Sequence, residues 1–206
     1  MMIRNILTAS AALALSPTPA GARDMPMPPI SGRAAYIEQI NDTNGASIPQ
    51  TGADASTEIK QKGSSNSAHV SESGAGAEYA AASQSGTGNH AEIEQQGSGE
   101  NFVSLTQAGT GNWAAINQNA VGASLNEAQM LQNGNYNNMT LTQYGSDNLA
   151  GLTQDGDNNA MTATQLGDGN HLTWTQQGSN LPDLNVTQTG GSAAGGQLSI
   201  TQTNGG

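Results

Sequence analysis

The side chains with the most regular spacing in this chain are carboxamides. A Gln recurs every eleven or twelve residues along most of the sequence, and in many copies an Asn follows it after five positions. A carboxamide offers both a donor and an acceptor, so identical amides placed one above another can bond in a continuous ladder. The pattern therefore indicates hydrogen bonding between repeats as the chemistry of the chain.

The positions of the ladder can be assigned from this spacing. We predict that the stacked amides are Gln84, Asn89, Gln95, Gln107, Asn112, Gln118, Gln132, Asn137, Gln143, Asn148, Gln154, Asn159, Gln165, Asn170, Gln176 and Gln188. A glycine follows most of these Gln residues by two positions, where it can supply the left-handed or tight conformations of a turn. The predicted turn glycines are Gly86, Gly97, Gly109, Gly134, Gly145, Gly156, Gly167 and Gly178.

An internal repeat is clearest between Gln132 and Gln176. The same eleven-residue pattern, Q-x-G-x-x-N followed by an alternating run, is written there four times. A strict period of this kind indicates structural units that stack on one another. Two longer steps of fourteen residues, after Gln118 and after Gln188, carry their extra residues in predicted turns, where a stacked repeat tolerates insertions.

Each repeat has the alternation of a half-buried strand. Side chains alternate between the two faces of a strand. In the copy that begins at Gln84, one face carries Asn89, Ala91, Ile93 and Gln95. The other face carries His90, Glu92 and Glu94. The charged residues are therefore expected to face solvent, while amides and small apolar groups face inward.

The repeats predict an all-β fold, an amyloid-like two-sheeted β-solenoid. A strand of about six and a turn of about five residues give strand-turn-strand-turn rungs of about 22 residues. Between Gln39 and Gln202 this makes about seven rungs, about 34 Å long at a rise of ~4.8 Å. We expect the solenoid to span 35–206 and to be best ordered over 84–188. Composition agrees, since 34% hydrophobic content with one Phe and two Trp cannot fill an ordinary core.

The first residues have the features of a secretion signal. A basic residue precedes an apolar run over 6–15, and Ala20-Gly21-Ala22 forms an A-x-A cleavage site. We predict a signal peptide over 1–22 and an extended Pro-rich leader over 23–34. The apolar run is too short to span a bilayer and no later stretch approaches ~20 apolar residues, so no membrane span is expected.

The charge of the chain argues against nucleic-acid binding. Sixteen Asp and Glu residues against five Lys and Arg give a formal net charge of −11, and every basic residue lies at or before Lys62. Phosphate binding needs Lys and Arg to replace counterions, so no nucleic-acid partner is expected. The lack of Cys excludes disulfides and thiolate sites, and no cofactor is expected.

The unit Q-x-G-x-x-N-x-A-x-x-x-Q resembles the curlin repeat of bacterial curli fibre subunits. The resemblance covers Gln39 to Gln202 and is strongest in QSGTGNHA from Gln84 and QAGTGNWA from Gln107. It implies a secreted subunit that assembles into extracellular amyloid fibres for biofilm formation, cell adhesion and surface attachment. Its implied partners are copies of itself, other curlin-like subunits or a nucleator. It also implies export through the periplasm and an outer-membrane pore with accessory factors.

The units before Gln84 depart from the pattern. Asn41 replaces the glycine after Gln39, Ala55 stands where an Asn belongs, and Glu72 replaces a Gln. A carboxylate at Glu72 is expected to break the amide ladder locally unless it faces a turn or solvent. We therefore expect order and family resemblance to weaken first before Gln84. The sequence leaves open whether the chain is a main subunit, a nucleator or an associated repeat protein.

Two alternatives keep a secreted solenoid but give it a binding role. Thr-x-Thr runs resemble the flat Thr arrays of ice-binding solenoids, although other outward residues interrupt them. These runs lie at 140–142, 162–164 and 173–175. Asp155, Asp157 and Asp168 beside glycines resemble the turns of calcium-binding β-rolls, but those turns repeat as nonapeptides with an Asp in every copy.

An enzyme is not expected from this sequence. It contains no recognisable Ser/His/Asp set, no phosphate-binding Gly-Lys loop, and no carboxylate pair that stands out from the repeats. His69, His90 and His171 fall at outward positions on separate units, which is typical of surface residues rather than of metal ligands.

Overall fold

The structure is a computed structural model that describes residues 32–190 and 196–204. The predicted signal peptide, 1–22, lies outside the described residues, as does the predicted leader up to residue 31. The first strand begins at Arg33, within the range predicted for the leader.

Fifteen strands make up the regular structure of the described residues. They are β1 (Arg33–Ile40), β2 (Gly45–Ser47), β3 (Asp54–Ser64), β4 (Ser67–Glu72), β5 (Ala77–Thr87), β6 (His90–Gly97), β7 (Glu100–Thr110), β8 (Trp113–Ala120), β9 (Leu125–Asn135), β10 (Asn138–Gly145), β11 (Leu149–Asp155), β12 (Ala160–Leu166), β13 (His171–Gln177), β14 (Val186–Thr189) and β15 (Gln197–Thr203). Within this part of the chain, no helix is long and apolar enough to cross a membrane.

The strands alternate between two parallel sheets. The odd-numbered strands form an eight-stranded sheet in chain order, and the even-numbered strands form a seven-stranded sheet. Each coil of the chain therefore adds one strand to each sheet, and pairing joins residues one full rung apart, as with Gln143 and Gln165. The predicted all-β, two-sheeted β-solenoid of about seven rungs is confirmed.

The four longest strands are almost twice the predicted length of about six residues. Strands β3, β5, β7 and β9 each have 11 residues and continue past their Gln into the turn. The turn residues pair in the same register as the strands, for example Gly86 with Gly109 and Thr87 with Thr110. The turn is therefore an arc that stacks on its neighbours, so it has ladder hydrogen bonds of its own.

The core is a thin apolar layer between the two sheets. In β8 burial alternates strictly, and the buried residues are Ala114, Ile116, Gln118 and Ala120. Like side chains also stack along the sheets, as Met139 does on Met161 in register. Fully burying one such side chain contributes about 1.5–3 kcal/mol relative to exposure. Rows of amides flank these apolar rows, so the inner face holds two small apolar groups between polar ones.

The insertion after Gln118 does not disturb the register. Its extra residues lie in the connection between β8 and β9, and β9 still pairs Gln132 with Gln107 of β7. The second long step lies between β14 and β15, where 191–195 are outside the described residues. Strand β15 again resumes the register, with Gln202 paired to Gln176.

Each predicted turn glycine has a positive φ. Gly109 has φ 119°, and a Cβ built on it would overlap the backbone carbonyl of Gly134, one rung further on. The arcs therefore stack so closely that only glycine fits at this position. Gly88, in contrast, has φ 68°, and a Cβ added there would meet no other atom of the described residues.

We expect Gly109→Ala to lower the free energy of unfolding by roughly 3 kcal/mol or more, because strain and backbone overlap add together. The matched variant Gly88→Ala keeps only the strain of a positive φ and should cost about 1 kcal/mol. Chemical denaturation of both variants measures the difference. Equal losses would show that arc contact does not restrict Gly109.

Candidate functional site

A continuous row of glutamines runs along the odd-numbered sheet. In each step the Nε2 of one Gln donates to the Oε1 of the Gln one rung further on, over 2.7–3.0 Å. The row is Gln39, Gln61, Gln84, Gln107, Gln132, Gln154, Gln176 and Gln202. Because every step has the same direction, the row has a donor end and an acceptor end.

The even-numbered sheet carries a second row with the same direction. It runs from Gln95 through Gln118, Gln143 and Gln165 to Gln188, over 2.7–2.9 Å. In most of these amides the other hydrogen donates to a backbone carbonyl across the core. Gln143 donates to Glu127 O (2.9 Å) and Gln154 donates to Asn138 O (3.0 Å), each on the opposite sheet. The glutamines therefore join rung to rung and sheet to sheet at once.

Asparagines form two further columns where the arcs meet the strands. The backbone N–H of Asn148 donates to Asn126 Oδ1 in the preceding rung (3.1 Å). The Nδ2 of Asn148 donates to the Gly167 carbonyl in the following rung (2.8 Å). Asn148 thus ties its arc to both neighbouring rungs, which satisfies groups that would otherwise be buried without partners.

The predicted ladder residues all lie in these rows and columns and are buried, with Gln188 the most exposed at 9%. The predicted ladder positions leave out several members of the same rows and columns, of which the Gln residues were already evident from the repeat spacing and the Asn residues were missed. These are Gln39, Gln61, Gln202, Asn44, Asn66, Asn101 and Asn126. The Asn members stand six positions before the next Gln or, for Asn66, before Glu72, so counting backward from each row member would have found them.

The amide row of the even-numbered sheet is interrupted at Glu72. This residue is 0% exposed and in register with Gln95. Its Oε2 accepts from Gln50 Nε2 (2.7 Å), while Oε1 has no hydrogen-bond partner within the described chain. The local break expected for a carboxylate is present, and Glu72 faces the core rather than a turn or solvent.

A second buried acid, which sequence reasoning missed, lies beside the first. Glu78 is 0% exposed and occupies an Asn column, in register with Ala55 and Asn101. Burial raises the pKa of both acids to about 7, more than the hydrogen bonds they accept lower it. The negative charge of Glu72 raises the pKa of Glu78 further.

The outer face presents short Thr columns. Thr140 pairs with Thr162, and Thr142 pairs with Thr164, which pairs in turn with Thr187. On the other side of β10, the residues in register with Thr140 and Thr142 are Ala115 and Asn117. A flat Thr array therefore does not extend across the sheet. The hydroxyl of Thr162 is also engaged, because it donates to Asp183 (2.6 Å).

The aspartates of the arcs accept hydrogen bonds from neighbouring rungs. Asp157 Oδ1 accepts from the backbone N–H of Asn135 (2.7 Å) and from its Nδ2 (2.9 Å). Asp168 Oδ1 accepts from the Ser146 N–H (2.9 Å). These carboxylates extend the stacking of the arcs. Within the described ranges, no three His, Asp or Glu residues group as metal ligands.

Parallel strands in two sheets, joined by rows of identical buried amides, define a β-solenoid built from stacked repeats. Two segments of the chain, 52–97 and 145–178, match the family model of the curlin associated repeat. The resemblance to the curlin-repeat family is confirmed, and one matched segment lies in each half of the chain. Searches of curated proteins and of solved structures find no match to this chain.

The first matched segment corrects one expectation. The resemblance was expected to weaken before Gln84, yet the segment begins at residue 52. Strands β3 and β4 also keep the parallel register there, and Gln61 is bonded in the row. Register is set by the whole inner face, so single replacements such as Ala55 do not break it.

We expect Gln143→Ala to lower the free energy of unfolding by about 2–4 kcal/mol. It removes the acceptor of Gln118 and the donor of Gln165, and leaves buried polar atoms without partners. The adjacent outward variant Thr142→Ala is the control and should change stability by less than about 0.5 kcal/mol. Chemical denaturation compares them, and similar losses for both would contradict the stabilising role of the row.

Proposed function

We propose that this chain is a secreted structural subunit that self-assembles end to end into extracellular, curli-like amyloid fibres. In this role the fibres serve biofilm formation, cell adhesion and surface attachment. The observation that carries the proposal is the direction of the amide row in the odd-numbered sheet, which leaves an acceptor at Gln39 and a donor at Gln202.

The acceptor end is formed by β1 and β2. Gln39 donates through Nε2 to Gln61 (2.7 Å), and no described residue donates to Gln39 Oε1. Among the described strands, β1 pairs with β3 alone. An edge strand with unpaired groups is a template for another strand.

The donor end is formed by β14 and β15. Gln202 Oε1 accepts from Gln176 Nε2 (2.9 Å) and from Trp174 Nε1 (2.8 Å). Its Nε2 donates to Pro182 O (3.1 Å), which uses one of its two hydrogens. The second hydrogen can donate to Gln39 Oε1 of another copy, as in every internal step of the row.

This contact determines a register for two copies. With Gln202 stacked on the Gln39 of the next copy, Ile200 stacks on Ile37, and Val186 stacks on Ile48 in the other sheet. These four apolar residues pack against the core but are only partly buried in a single chain. Stacking completes their burial and continues both sheets at ~4.8 Å per rung.

The curlin-associated repeats support the biological setting of the proposal. Curlin repeats are typical of extracellular fibre subunits, so we propose that the predicted signal directs the chain to the periplasm. Export would follow through an outer-membrane pore with accessory factors. Other curlin-like subunits or a nucleator are the partners proposed beside the chain itself.

Purified protein lacking residues 1–22 should convert from a soluble species into thioflavin-positive fibres. Fibre diffraction should show a ~4.7 Å meridional reflection, because the rungs stack along the fibre axis. A chain that stays monomeric for days at high concentration would overturn the proposal.

The donor end can be tested with Gln202→Glu. A carboxylate still accepts from Gln176 and Trp174, but it has no hydrogen to donate to the next copy. The substitution also removes the hydrogen bond that Gln202 Nε2 donates to Pro182 O within the same chain. We expect seeded fibre elongation to slow by about tenfold, the equivalent of one lost hydrogen bond.

The control for this variant is Thr201→Glu, which places the same charge one residue away on the outer face. It should elongate within about twofold of the unsubstituted chain, since an exposed charge contributes little. Equal slowing by both variants would assign the effect to charge alone and contradict the amide contact.

A further inference from the structure

The two buried acids, Glu72 and Glu78, break an otherwise repeated hydrogen-bond scheme. From Gln95 onward, at each step of the amide row in the even-numbered sheet, the Nε2 of one Gln donates to the Oε1 of the Gln one rung further on. At Glu72 an oxygen stands where that nitrogen would be. Within the described chain, Glu72 Oε1 and Gln95 Oε1 are both buried without partners. This step of the row therefore has two acceptor oxygens, where each other step has one donor and one acceptor.

Glu78 lies in the same part of the solenoid, at the start of the strand that follows Glu72. Its Oε1 accepts from the Gly74 N–H (2.8 Å), while its Oε2 is buried without a partner among the described residues. Backbone of Gly52 and Gly74 packs directly over this carboxyl group. The side chain therefore has no room to turn out to water.

Among the described residues, no Lys, Arg or His side chain lies in the core beside these acids. The other ionisable side chains of the surrounding strands lie at the alternate positions that face away from the core. These are Tyr36 and Glu38 on β1, Asp54, Glu58, Lys60 and Lys62 on β3, His69 on β4, Tyr79 on β5, His90, Glu92 and Glu94 on β6, and Glu100 on β7. Arg33 is in the inward phase of β1, but it is exposed and its Nη1 donates to Gln50 O (3.2 Å).

We propose that Glu72 and Glu78 form a proton switch within the solenoid. When protonated, Glu72 Oε1–H supplies the missing donor to Gln95 Oε1 and the amide row becomes continuous, while Glu78 is neutral. When ionised, two unpaired charges stand in the core and destabilise the rungs around β4 and β5. This switch acts on the folding of a single chain, so it does not depend on fibre assembly.

The direction of the pH dependence follows from the pKa values. Burial raises the pKa of both acids to about 7 in the folded chain, against 4.5 as the ordinary value. Between these values the folded chain holds more protons than the unfolded chain, so stability falls as the pH rises. The stabilisation is fully present below pH 4.5 and is lost as the pH passes about 7.

The test measures chemical denaturation of the full-length chain from pH 5 to pH 8.5, at concentrations too low for assembly. Each acid should lower the folding equilibrium constant by roughly seventyfold across this range, so the two together should lower it by more than about a thousandfold. In the double variant Glu72→Gln/Glu78→Gln it should change far less. That variant should also be more stable than the unsubstituted chain at pH 8.5, because an amide at position 72 restores the donor that the row lacks.

The control is the outward pair variant Glu92→Gln/Glu94→Gln, which removes two carboxylates from the same solenoid but should keep the pH dependence. Infrared spectra should also show a protonated carboxyl C=O band at pH 6 that is absent from the core double variant. A pH-independent equilibrium, or an unchanged slope in the core double variant, would overturn the switch. Because the readout is folding, failure of fibre growth would not affect this conclusion.

Discussion

A carboxamide that is removed from water must find partners for both its donor and its acceptor, and the rest of this structure depends on that requirement. An identical amide one rung away meets both needs, since Gln143 accepts from Gln118 and donates to Gln165. The partner must arrive at the spacing of paired strands, so the chain has to return after a constant length. Period, parallel register and glycine arcs all follow from this one geometric condition. The apolar core between the amide rows is thin, and it gains its order from the rows that flank it.

The same bond that joins rungs within the chain is suited to joining one copy to the next. A row of amides that all point in one direction cannot close on itself, so it ends in acceptors near Gln39 and donors near Gln202. A globular protein completes its hydrogen bonds within the fold, whereas in the proposed function this solenoid completes them by adding a further copy at its end strands. The curlin-associated repeats are in agreement with a structural role of this kind.

The acids at Glu72 and Glu78 show how strict the amide requirement is. Glu differs from Gln by an oxygen in place of an NH₂ group, and that change leaves Gln95 Oε1 without a donor. The shape of the side chain is retained, so the rung keeps its register with Gln95. The cost is electrostatic, and it depends on whether a proton is bound. A repeat fold can therefore carry a chemically distinct rung without losing its architecture.

The fold class, the two sheets, the rung length and the inward phase follow from the sequence alone, because a period of eleven with alternation inside it admits few arrangements. Gln61 and Glu72 were visible as row members, since each keeps its step from its neighbours. The folded structure was needed to show that Glu72 is buried and that Glu78 replaces an Asn. Asn101 and Asn126 were missed, although each stands six positions before a Gln. Turn lengths vary, so counting forward from a Gln misplaces these residues. Their position is set by the rung above and below, through contacts between residues 22 or more apart.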